Sequence, residues 1–68
     1  MIVKYFEDTD TLYLQFNRNK VMDTRDLDGD TVVDYDTKGH VVAITLEHAK
    51  KTADVSDFSF QHVLPKAA

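Results

Sequence analysis

Over the first two thirds of the chain, hydrophobic and polar residues alternate in short runs separated by turn-forming clusters. The clearest run is 11–16, where Leu12, Leu14 and Phe16 fall on one side and Tyr13 and Gln15 on the other. Alternation with period two predicts a half-buried β-strand. A strand is also predicted over 2–6, ended by Glu7-Asp8-Thr9-Asp10, whose Asp and Thr side chains can bond their own backbone. Asn17-Arg18-Asn19-Lys20 ends the second run, since asparagine tolerates turn conformations. A third strand, 21–27, is polar and is therefore expected at a sheet edge, where charge discourages pairing with another chain. Asp28-Gly29 predicts a two-residue type I′ hairpin leading into a fourth strand over 30–35. A fifth strand is predicted over 41–46. Before it, Asp36-Thr37-Lys38-Gly39 reads as a type I turn followed by a left-handed glycine.

After Leu46 the period changes. Residues 47–53 do not decide between a helical turn and a loop. Ser56 as N-cap, Asp57 in the first turn and a stripe of Phe60, Val63 and Leu64 predict a helix over 56–64. Pro65 ends it, and 65–68 are expected to fray. The pattern predicts an α+β fold within a single small domain, 1–68. A five-stranded antiparallel β meander, order 1-2-3-4-5, occupies 1–46, and a short C-terminal helix packs on one of its faces.

Length changes this picture by limiting it to one core. A chain of 68 residues buries only about 60% of its unfolded surface, so its stability is expected to be modest without reinforcement. There is no Cys, which removes disulfides, thiolate zinc sites and cysteine nucleophiles. Self-association is left as the most economical reinforcement. The net charge of −4 argues against nucleic acid as a primary partner, because phosphate binding wants clustered Lys and Arg. No apolar run approaches the roughly 20 residues that span a bilayer. Met1 opens directly on strand-like residues, with no basic and apolar leader pattern, so a cytoplasmic location without membrane partners is expected.

Several pieces of the sequence, in order, resemble a known family. They are Tyr5 with Asp8, Asp10-Thr11-Leu12-Tyr13-Leu14, Val33-Asp34-Tyr35-Asp36 with Gly39, and Val41-Val42-Ala43-Ile44. Together, over about residues 1–50, they resemble the small prokaryotic family catalogued as domain of unknown function 2283. That family commonly has Gly where Ala43 stands. The resemblance implies no activity and transfers no functional residues. Some members resemble antitoxin-like companions of small ribonuclease toxins, which is an association and not a mechanism.

Candidate chemistry is sparse. Six Asp (23, 26, 28, 30, 34, 36) crowd the stretch 21–36, which invites a calcium loop. The spacing fails, however. Counting from Asp26, Gly29 falls at position four and Thr37 at twelve, where an EF-hand needs Gly at six and Glu at twelve. His40, His48 and His62 show no metal-binding spacing, and Ser56 and Ser59 lie in no nucleophile turn. Gly29 and Gly39 open no phosphate-cradling helix. No catalytic residue, cofactor or metal is predicted, and the chain is read as not an enzyme.

The apolar residues carry more information. Val3, Tyr5, Leu12, Leu14, Phe16, Val33, Tyr35, Val42, Ile44 and Leu46 can fill one sheet face. Ile2, Phe6, Tyr13, Val32 and Val41 would then dot the other, as candidate partner-binding residues. One short helix covers only one face, so the second is expected to meet a second copy or a protein partner. Two functions follow as expectations. The first is a self-associating, non-enzymatic interaction module. The alternative is an antitoxin-like companion of a small basic ribonuclease, docking through the acidic hairpin residues Asp23, Asp26, Asp28 and Asp30.

Overall fold

A computed structural model describes residues 1–66. Five antiparallel strands form one sheet: β1 (Ile2–Phe6), β2 (Thr11–Gln15), β3 (Asp23–Asp26), β4 (Thr31–Tyr35) and β5 (Val41–Glu47). Each predicted strand is present. The ends of β2 and β3 are extended by single backbone bonds, Phe16 N–H to the Val42 carbonyl and Met22 N–H to the Tyr35 carbonyl, both at 2.8 Å.

The strand order is β1-β2-β5-β4-β3, not the expected sequential meander. The reason lies in composition. β3 reads Asp-Thr-Arg-Asp and is exposed at all four positions, so it belongs at an edge. β5, Val-Val-Ala-Ile-Thr-Leu-Glu, is the longest strand, holds the buried pair Val42 and Ala43, and takes the centre. An edge strand cannot stand third of five. The chain meets both demands by carrying residues 16–22 across to the far edge and returning through β4, so that β2 to β5 form a Greek key.

Two turns fix the register of that return. Between β4 and β5, the Gly39 N–H donates to the Asp36 carbonyl at 3.1 Å, and Gly39 has φ +80°, matching the expected turn and left-handed glycine. The ladder shifts at Asp34/Tyr35, which marks a bulge. Between β3 and β4 the hairpin is not type I′. Gly29 has φ +88° but Asp28 does not enter the left-handed region. Residues 28–30 form a three-residue loop, closed by the Leu27 N–H on the Thr31 carbonyl at 2.8 Å. Side chains replace the tighter turn. Asp26 Oδ1 accepts the Gly29 N–H at 2.7 Å, and Asp28 Oδ1 accepts those of Asp30 and Thr31 at 2.9 and 2.7 Å.

The predicted helix over 56–64 is absent, and the α+β assignment gives way to a single antiparallel sheet. The one helical element among the described residues is a 3₁₀ turn, Ala49–Lys51. A segment shorter than about 12 residues rarely holds a helix without packing, and this one contains two Phe, two Ser and a Val. Ser56 is also diverted from capping. Its N–H and hydroxyl both donate to Asp54 Oδ1, at 3.2 and 2.7 Å. Of the tail expected to fray, Ala67 and Ala68 lie outside the described residues.

Candidate functional site

Register shows what each sheet face presents, because directly paired residues share a face. On one face, Val3, Leu14, Ile44 and Val33 line up across β1, β2, β5 and β4, ending on Arg25 of β3. A second row runs Tyr5, Leu12, Leu46 and Thr31. Phe16 and Val42 adjoin these rows, and Tyr35 carries the Arg25 guanidinium 5.7 Å from its ring centre. The apolar set expected for one face is thus brought together, the row through Leu14 running apolar as far as the β3 edge and the row through Leu12 ending on Thr31 of β4.

The opposite face reads differently. One row is Lys4, Tyr13, Thr45, Val32 and Asp26, and another is Ile2, Gln15, Ala43, Asp34 and Thr24. Phe6 pairs with Thr11, which pairs with Glu47. The candidate partner-binding residues Ile2, Phe6, Tyr13 and Val32 do share this face, with Val41 beside the bulge. Along each row a polar side chain stands between them, and Tyr13 meets Ile2 and Phe6 only on the diagonal.

Covering of the apolar face is partial. Residues 54, 55, 57 and 58 line a groove with Val3, Tyr5, Leu12 and Leu14, so the C-terminal segment lies over β1 and β2. Val33 and Val42 are buried, 5% and 3% exposed, but among the described residues no large side chain is fully buried. Beyond the groove the segment stands free of the sheet. Phe60, Val63 and Leu64 are 71–81% exposed, and Phe58, at the groove, is 63% exposed.

The acidic residues are occupied internally. Asp26 and Asp28 hold the hairpin loop. Asp23 accepts from Arg25 Nε at 3.0 Å, and Asp30 lies 2.9 Å from His48 Nδ1. Backbone N–H groups of Asp30 and Thr31 hold the Asp28 carboxyl below the usual carboxylate range. Asp36 is similarly engaged. Its Oδ1 accepts the N–H groups of His40 and Lys38, each at 2.9 Å, and its Oδ2 accepts the Asn19 amide at 3.0 Å. The His40 bond is the chief reason its carboxyl is also held low. His40 and His48 each face one aspartate, while His62 lies in the C-terminal segment. No group of three His, Asp or Glu able to hold a metal occurs among the described residues.

One cluster was not legible as a unit in the sequence. The Tyr5 hydroxyl donates to Asp10 Oδ1 at 2.7 Å, and that carboxylate also accepts the Lys50 N–H at 3.2 Å. The Asp10 carbonyl accepts the Ala49 N–H at 3.0 Å. Asp10 reaches this geometry at φ +54°. The bond to Asp10, with burial and the charges of Asp10 and Glu7, pushes the Tyr5 phenol up to about 12. Its chemistry is structural, since it ties the β1–β2 turn to the 3₁₀ turn. Contact across forty residues has no local signature.

A family model with the description Protein of unknown function (DUF2283) matches residues 2–50, which takes in all five strands and stops within the 3₁₀ turn. Neither a curated protein nor a solved structure matches the chain significantly.

Proposed function

We propose that this chain, which belongs to the DUF2283 family, is a non-enzymatic interaction module that works by associating with itself. One observation carries the reading: a continuous apolar sheet face with no complete second layer over it. A sheet that is hydrophobic on one face must bury that face against something, and this chain supplies only the short cover over β1 and β2. The antitoxin-like alternative has weaker support, because Asp23, Asp26, Asp28 and Asp30 already satisfy groups of their own hairpin and of His48.

Sedimentation velocity and thermal melting across the micromolar range test the reading. A dimer should appear, with a melting temperature that rises with protein concentration. A monomer at the highest concentration, melting at one temperature throughout, removes it.

A further inference from the structure

We infer that the occupant of the open apolar face is a second copy of this chain, and specifically its segment 58–64, exchanged reciprocally about a two-fold axis. The inference rests on the self-association proposed above and names the surface that carries it. Area is the first argument. The chain exposes 5618 Å², whereas a compact monomer of 7.8 kDa exposes about 4,400 Å². The surplus of about 1,200 Å² exceeds the roughly 800 Å² per partner that a standard stable interface buries. The radius of gyration agrees: it is 14.3 Å, against about 11 Å for a compact chain of this length.

Position is the second argument. The segment leaves central β5, passes the Asp10 anchor and lies against β1 and β2, so its path leads away from β4 and β3. Its own Phe60, Val63 and Leu64 therefore stand clear of the part of the face formed by Ile44, Val33 and Tyr35. The seven residues 58–64, extended at about 3.3 Å each, span about 23 Å, and a five-stranded sheet is about 19 Å wide. One tail is long enough to cross a partner's sheet.

Charge is the third. Residues 58–65 contain no Asp, Glu, Lys or Arg. Asp54 and Asp57 line the groove over β1 and β2, whereas beside Ile44, Val33 and Tyr35 the charged pair is Arg25 with Asp23, at 3.0 Å on the β3 edge. Lys4, Asp34 and Glu47 lie on the opposite face. An uncharged tail can thus lie on the β4–β5 part of a partner's face, where the neighbouring charges are already paired with each other. The exchange is isologous, since each copy contributes one tail and one face. Residues 58–64 also lie beyond the family match, which ends at residue 50.

The test uses the full chain carrying Phe60→Ser with Leu64→Ser, beside the wild type and Phe6→Asp on the opposite face. Phe60 and Leu64 are 71% and 73% exposed on a single chain, so a monomer would tolerate their loss. The expected result is a wild-type dimer whose dissociation constant rises at least tenfold in the double variant and stays unchanged in Phe6→Asp. A wild-type dimer unaffected by the double variant overturns the tail exchange and leaves self-association standing. Weakening by Phe6→Asp alone moves the interface to the other face, with the same consequence. A wild-type monomer removes both proposals. If the double variant instead lowers the melting temperature equally at all concentrations, the tail closes on its own sheet and the exchange is wrong.

Discussion

The two faces of this sheet are built from the same five strands, and often from adjacent residues, yet they have different requirements. On one, Val3, Leu14, Ile44 and Val33 line up across four strands without a polar break. On the other, Tyr13 sits between Lys4 and Thr45, and Ala43 between Gln15 and Asp34. Water can serve the second face. The first needs a cover, and the difference comes from placement, since the isolated apolar residues on the polar face are of a kind common on any protein surface. A count of hydrophobic residues gives both faces a claim on a partner. Continuity supports only one.

The most direct way to break this comparison uses neighbours in β4. Val33→Asp places a carboxylate in the continuous face at a position 5% exposed, and is expected to cost about 3 kcal/mol or more in urea unfolding. Val32→Asp, one residue away on the opposite face, should cost about 1 kcal/mol or less. Equal losses would mean that the faces do not differ as described.

The faces stay distinct only while register holds, because a slip of one residue moves every side chain to the other side. The turns that hold it give smaller effects. Gly29 has φ +88° and open space around its Cβ position, so Gly29→Val should cost about 1–2 kcal/mol through backbone strain alone. A melting temperature unchanged by this substitution would contradict the left-handed loop.

The smallest effect is a pH dependence at the β4–β5 turn. The native Asp36 carboxyl titrates below its unfolded value, so its contribution is present above the usual carboxylate range of about pH 4 and is lost as pH falls through the lower native value. Asp36→Asn should flatten the acid side of a melting-temperature profile, while at neutral pH the variant is the less stable protein. Parallel acid limbs in the two proteins would show that this carboxylate does not hold the turn.

Local periodicity in the amino-acid sequence determined the five strands nearly to the residue. It also determined the two apolar sets, the polar edge strand and the left-handed Gly39, because alternation and turn chemistry act over only a few neighbours. Three things were decided elsewhere. The order β1-β2-β5-β4-β3 came from competition among strands for the buried centre, which no single strand encodes. The fate of 56–64 depended on tertiary support. Its three-and-four spacing was real, but a stripe makes a helix only where packing repays the ordering of a short segment, and here the stripe residues Phe60, Val63 and Leu64 stay exposed. The hairpin tip was settled by carboxylates of Asp26 and Asp28 that bond the loop's own N–H groups and so displace the tighter turn that Asp-Gly favours by itself. Spacing along the chain says which residues can share a face; only the assembled sheet says which face is left without a cover.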